Sequence, residues 1–348
     1  MMVDLPSYGP TNRIRLGAFL RSRPLLLNYT GSERLTDFQV KCILTPSDIP
    51  FEKLRADKQD LLFVNNNNEA IPYWIEKSDS TQIIVWLKIS EIISGKEVLW
   101  LYYGNGNFSG VSNASMTFLR IIDGLVGSWR FDEGAGSTAY DSSGNDNDGE
   151  IHDAVWIDGK FERALEYNGS NSYTEIPHNN ILDLSDEYSI SFWFYPYSSP
   201  DTVAYGIRKI RNYEIRFYST NKVLFTFIDE SGHTHNLWSS PVQLNQWHHV
   251  VTTFSKFEGK ARLFLNNNLE DEDDISESTQ TPEASLFVGG LSSGLALYGI
   301  IDELIICDKP FSDDEINDIY NYYAYTTEDY PGKVLVRKYA ETEPKVIL

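Results

Sequence analysis

The sequence predicts an all-β protein of two β domains, with one short helix near the end of the second. Three observations predict it. Apolar and polar residues alternate in short runs, as in Ile83-Ile84-Val85-Trp86-Leu87-Lys88, Ser189-Ile190-Ser191-Phe192-Trp193-Phe194 and Ala261-Arg262-Leu263-Phe264-Leu265, and period two is the spacing that turns one face of a strand toward a core. Gly, Asn, Asp, Ser and Pro bound these runs, while helical periodicity is nearly absent. The 348 residues are 41% hydrophobic and 14% aromatic, enough to build a large core and to argue against disorder.

The elements follow in chain order. Residues 1–23 read as an irregular N-terminal arm containing Pro and Arg. Residues 24–120 read as a first, β-sandwich-like domain, closed by a linker of small polar residues from Ser109 to Thr117. Residues 121–323 read as the second domain. Near its end, Ser312 and Glu315 form a capping box, which predicts a helix reaching about Tyr322 with Ile316, Ile319 and Tyr320 on one face. Residues 324–348 read as a C-terminal tail whose Val334-Leu335-Val336-Arg337-Lys338-Tyr339 alternates like a strand, a form suited to pairing with a sheet edge. Asn266-Asn267-Asn268 suits a hairpin, because Asn tolerates the left-handed backbone. Asn65–Asn68 and Asp271–Asp274 read as hairpin tips, and the run Glu270–Asp274 as solvated charge. No solenoid-length repeat occurs.

Charge narrows the partners. With 50 acidic and 29 basic residues the formal net charge is -21, so a phosphate backbone is repelled and nucleic acid is a poor partner. No apolar run is long enough to insert in a membrane. The opening Met1-Met2-Val3-Asp4-Leu5-Pro6 has no basic region followed by an apolar stretch, so no signal peptide is seen, and assembly into a virus particle is one route to display. Cys42 and Cys307 lie far apart, either as two buried thiols or as an interdomain disulfide, and do not fix the compartment.

Five pieces stand in order across residues 124–310. They are Gly124-Leu125-Val126-Gly127-Ser128-Trp129-Arg130-Phe131-Asp132-Glu133-Gly134, Tyr140-Asp141-Ser142-Ser143-Gly144-Asn145-Asp146-Asn147-Asp148-Gly149, Phe161-Glu162-Arg163-Ala164-Leu165-Glu166-Tyr167-Asn168-Gly169, Trp247-His248-His249-Val250-Val251 and Gly299-Ile300-Ile301-Asp302-Glu303-Leu304. This set resembles the laminin-G-like, concanavalin A-like jelly-roll family. The resemblance implies two antiparallel sheets stacked as a curved sandwich. It also implies binding of glycans, proteins or lipids, often with calcium, and rarely catalysis. Trp129, Phe131, Phe192, Trp193, Phe194 and Trp247 are then expected mostly in the core.

The loop Asp141–Asp148 concentrates the oxygen groups that calcium takes. Related modules place a structural calcium near this loop and near the Asp of Gly-Ile-Ile-Asp-Glu. The resemblance therefore implies Asp141, Asn145 and Asp302 as ligands, with Asp132 and Glu133 in reserve. The alternative is that Asp141 and Asn145 only make Asx turns. The spacing is not that of an EF-hand, since Asp146 and His152 stand where Gly and Glu are needed. His248-His249 reads as part of a strand, and His233-Thr234-His235 as an exposed hairpin feature.

In the first domain, Ile71-Pro72-Tyr73-Trp74-Ile75-Glu76 and Leu101-Tyr102-Tyr103-Gly104-Asn105 are similar to an uncharacterised β-domain family, over about residues 24–107. That family often precedes laminin-G-like modules in archaeal and bacterial surface proteins; the family's usual Trp and Tyr-Arg opening is missing here. Tyr73, Trp74 and Glu76 are a candidate sugar platform, or else Trp74 is core with Glu76 exposed beside it.

No Glu-x-Asp-x-x-Glu strand, Ser-His-Asp signature or nucleotide loop is present, so no enzyme is expected. The expected protein is an extracellular, cell-surface or virion-surface structural or adhesion protein. Its jelly roll would recognise glycans or partner proteins, and its termini would serve self-assembly or docking. The alternative is a free carbohydrate-binding module of a secreted surface protein, followed in rank by a glycoside hydrolase on a concanavalin A-like fold.

Overall fold

The computed structural model describes residues 1–5, 13–108 and 110–348. The chain divides into two compact units: Met1–Ile121 with Leu335–Leu348, and Ile122–Val334. Strands make both units, and the described residues contain two α-helices, Ala114–Thr117 and Asp313–Asn321.

The first unit has a four-stranded sheet in the order Lys345–Ile347, Arg21–Tyr29, Gly95–Tyr103, Leu62–Val64, and a three-stranded sheet in the order Leu35–Leu44, Ile83–Ile92, Tyr73–Ser78. Leu25, Leu27, Phe38, Val40, Val85 and Leu99 fill the space between them. This differs from the expected division at both ends. The end of the tail is an integral strand of the unit, with Val346 opposite Leu27, and the Lys338 amide donates to Gln39 Oε1 at 2.9 Å. The arm is not irregular where described. Leu16 and Phe19 are buried with Leu62, Val64 and Phe108, because apolar side chains there have a cluster to join. Residues 6–12 of the expected arm, and Ser109 of the expected linker, lie outside the described residues.

The second unit is a two-sheet sandwich. One sheet runs Val155–Asp158, Arg163–Asn168, Tyr298–Cys307, Glu187–Pro196, His248–Ser255, Lys260–Leu265, Asn268–Asp274, with Leu125–Trp129 joined to the Tyr298–Cys307 strand. The other runs Thr138–Ala139, Gly149–His152, Tyr173–Ile176, Leu286–Val288, Val203–Lys209, Tyr213–Tyr218, Lys222–Ile228, Thr234–Pro241. All pairings in both sheets are antiparallel. Trp129, Phe131, Phe192 and Phe194 join Tyr167, Ile190, Phe225 and Phe254 in the core. The Trp129 indole N–H donates to the Asn147 carbonyl at 2.8 Å, which satisfies its one polar group inside.

Trp193 departs from the expected inner core. Alternation places it on the outer face of its sheet, where Tyr320 of the Asp313–Asn321 helix stacks on it at 5.7 Å and 13°. The helix begins at Ser312 with the expected capping box and buries Ile316 and Ile319.

The acidic run 270–274 is not a hairpin tip. It lies in the edge strand Asn268–Asp274. Asp271 and Glu270 accept from the Trp238 and Ser240 amides at 2.9 and 2.7 Å, so carboxylates cap the edge of the opposite sheet. Glu272 and Asp274 meet Lys260 at 2.9 and 2.8 Å. His235 is likewise not incidental. It stacks on Phe227 at 4.6 Å, and its two ring nitrogens face Asp273 at 2.7 Å and Asp229 at 3.2 Å. Cys42 and Cys307 are both buried free thiols.

Candidate functional site

The expected calcium ligands do not assemble. Asp141 Oδ1 accepts from the Ser128 and Ser143 amides, each at 2.9 Å. Its Oδ2 accepts from the Ser143 hydroxyl at 2.8 Å and the Asn147 amide at 3.0 Å. A carboxylate with four donors has no lone pair directed at a cation. Asn145 Nδ2 donates to the Val126 carbonyl at 3.1 Å. Asp302 is fully buried, with Oδ2 accepting from the Lys160 and Phe161 amides at 2.8 and 3.1 Å. Asp132 accepts from the Arg163 amide and Glu133 from the Tyr140 amide. Among the described residues no three His, Cys, Asp or Glu side chains converge as a metal site. The predicted set therefore does not fit a bound calcium. Both oxygens of Asp141, the first of the expected ligands, are consumed in folding that loop.

Asp302 and Glu303 form an acidic pair instead. They are 0% and 4% exposed, and the Tyr323 hydroxyl is the side-chain donor that acts on Glu303. Burial pushes both carboxyls well above the usual range, and the neighbouring Asp132 adds to it; Arg130 opposes the shift at Glu303. Burial likewise raises Asp132 to about 6, against the pull of Arg130. Groups raised in this way bind protons on folding. Their stabilising share is complete below the unfolded carboxylate range and is lost as pH rises through the folded values. Glu303→Gln is therefore expected to raise stability at pH 8 by on the order of 1 kcal/mol or more, and to change it little at pH 4. Urea unfolding at the two pH values measures this, and equal effects at both would contradict it.

The expected sugar platform in the first unit is buried. Tyr73 is 0% exposed and donates its hydroxyl to the Leu61 carbonyl at 2.6 Å. Trp74 is 8% exposed and meets Phe118 edge-on at 5.7 Å. Glu76 accepts from the Trp86 indole at 2.7 Å and pairs with Lys41 at 3.6 Å. Stacking needs an open aromatic face, and these side chains have spent theirs on the core.

An open aromatic strip lies on the outer face of the second unit. Alternation puts Tyr195 on the same side as Trp193, and Tyr197, just past the strand's end, packs against Tyr195. Trp193 is covered by the helix, whereas Tyr195 and Tyr197 are only half-buried. Trp247 meets Tyr195 at 5.5 Å, Tyr195 meets Tyr197 at 5.6 Å, and Tyr197 meets Tyr298 at 5.1 Å. Tyr298 is 47% exposed. Backbone contacts hold the strip. The Tyr197 amide donates to the Tyr298 carbonyl at 2.9 Å, and the Asn245 amide donates to the Pro196 carbonyl at 2.8 Å, fixing the loop before Trp247. Gly299 is required, since a Cβ there would lie 2.3 Å from the Tyr195 carbonyl oxygen. Tyr298 also walls a cleft of about 440 Å³, whose polar lining includes Asn168, Ser198, Ser199, Asp201 and Thr202.

Residues 168–317 match the model of the concanavalin A-like lectin/glucanases superfamily, and residues 57–134 match a domain of unknown function. The second unit carries a concanavalin A-like domain. The chain is similar to non-toxic nonhemagglutinin type A of Clostridium botulinum, with 26% identity over 208 residues, 58% of this chain and 17% of that protein. It is also similar to botulinum neurotoxin type X of Clostridium botulinum, with 24% identity over 231 residues, 57% of this chain and 18% of the relative. The chain thus spans less than a fifth of these relatives' length. Among solved structures, the binding domain of Paraclostridial Mosquitocidal Protein 1 shares the fold, with a TM-score of 0.50, 18% identity, and coverage of 57% of this chain and 52% of the other. No helix among the described residues is long and apolar enough to cross a membrane.

In this concanavalin A-like domain, sequence reasoning missed Tyr195, Tyr197 and Tyr298 and took Trp247 for core. A signal was present. Phe192 through Tyr197 carries aromatic residues on both faces of one strand, so the outer face needed either a cover or a use. Where the cover ends is not written in the strand.

Proposed function

We propose that the protein is a non-enzymatic recognition protein whose concanavalin A-like domain binds glycans along Trp247, Tyr195, Tyr197 and Tyr298. The observation that carries this reading is an open aromatic strip beside a polar cleft. Aromatic faces stack on the apolar C–H faces of sugar rings, and clustered hydroxyl, amide and carboxylate groups satisfy the sugar hydroxyls. The superfamily's description as lectins and glucanases, and the naming of a similar solved structure as a binding domain, support it. The neurotoxin and nonhemagglutinin relatives support an extracellular place of action.

Binding of soluble oligosaccharides by the full chain, followed by titration calorimetry, tests the proposal. Tyr298→Ala is expected to weaken the best ligand about tenfold or more, roughly 1.4 kcal/mol, with an unchanged circular dichroism spectrum. Unaltered binding by this variant would remove the strip from the site. Release of reducing ends from any bound glycan would overturn the non-enzymatic reading.

The second reading is a protein partner docking on the same rings, which also suit an interface hot spot. Light scattering separates the two, because self-association lost in Tyr298→Ala without any glycan binding favours it.

A further inference from the structure

We infer that the strip takes a neutral, soluble glycan chain and disfavours both anionic glycans and crystalline polysaccharide. This rests on the glycan reading above and adds the ligand class. Two independent observations carry it.

The first is ring orientation. Neighbouring rings along the strip stand at 69°, 73° and 69° to one another. No two adjacent rings are coplanar, so the strip offers no flat platform to the planar face of a crystalline polymer. Rings turned edge to face can each meet a sugar ring of a single chain that twists as it passes.

The second is charge. Among the described residues no Lys, Arg or His lines the cleft beside Tyr298, while Asp201 does. Glu166 lies close enough to act on Tyr197, whose phenol is pushed up by burial and by that carboxylate. A sialyl carboxylate or a sulfate entering here meets like charge with no lining cation, in a chain of net charge -21. Ser198, Ser199, Thr202 and Asp201 are instead suited to exchanging hydrogen bonds with neutral hydroxyls.

The test uses the full chain with three kinds of probe: neutral oligosaccharides, the same oligosaccharides bearing terminal sialic acid or sulfate, and insoluble crystalline cellulose and chitin. The neutral forms are expected to bind, with the anionic forms about tenfold weaker or more. That gap should shrink as salt is raised, because screening weakens repulsion between partly exposed charges. No retention on the crystalline polymers is expected. Asp201→Lys, at an exposed position, is expected to narrow the gap between neutral and anionic forms about fivefold or more. Anionic glycans binding as tightly as their neutral cores, or retention on a crystalline polymer, would overturn the inference while leaving the glycan reading intact. Failure of every glycan to bind would instead overturn the glycan reading, and this inference with it.

Discussion

Replacing Asp141 with alanine is expected to destabilise the concanavalin A-like domain by about 3–5 kcal/mol, a loss found only where a buried network is broken. Asp141 is buried, and its two oxygens accept four hydrogen bonds, from Ser128, from Asn147 and twice from Ser143. The Asp141 amide in turn donates to Asp148 at 2.8 Å. Removing the carboxylate strands the backbone amides of three buried residues, Ser128, Ser143 and Asn147, and each stranded donor costs its desolvation. The loop it organises also supplies the Asn147 carbonyl that holds the Trp129 indole. Denaturant unfolding followed by circular dichroism measures the loss. A change below about 1 kcal/mol would mean that water replaces the carboxylate, and the account of Asp141 as the loop's organiser would fail.

Trp129→Ala is the second large effect, with an expected cost of about 3–5 kcal/mol. Trp129 is fully buried between the two sheets, on the short strand joined to Tyr298–Cys307. Its removal leaves a cavity the rigid sheets cannot close, and leaves the Asn147 carbonyl without this donor. Trp129→Phe restores most of the volume and none of the hydrogen bond, so it should fall between wild type and Trp129→Ala. Because Trp129 and Asp141 act on one loop, the double variant should lose less than the sum of the two single losses. Full additivity in the double-variant cycle would contradict the proposed linkage through Asn147.

Much of the fold was legible in the sequence. Alternation over 83–88, 189–194 and 261–265 located strands that in the structure run Ile83–Ile92, Glu187–Pro196 and Lys260–Leu265. Ser312 and Glu315 set the start of the helix through a purely local exchange of hydrogen bonds. These features depend on neighbours within a few residues, and such neighbours are visible in one dimension. The candidate site was far less legible. The Asp141 loop attracted attention because its composition suits a cation, yet the same oxygen-rich composition suits a tight loop that must satisfy its own amides. Tyr73-Trp74-Ile75-Glu76 looked like a platform because aromatic residues serve cores and sugar sites equally well.

In the sequence by itself, the all-β class, the capped helix and the aromatic content of the strands were readable from side-chain periodicity and local backbone preference. The sandwich in the second unit was an expectation of the family resemblance. Only the tertiary structure decided which aromatic rings stay open. The Asp313–Asn321 helix stacks Tyr320 on Trp193 and stops short of Tyr195 and Tyr197, while Trp247 and Tyr298 reach the strip from segments about fifty and one hundred residues further along the chain. Tertiary folding also decided that Lys345–Ile347 completes a sheet in the first unit with Arg21–Tyr29. Exposure and long-range pairing are properties of what lies across from a residue, and no local pattern in the chain encodes that.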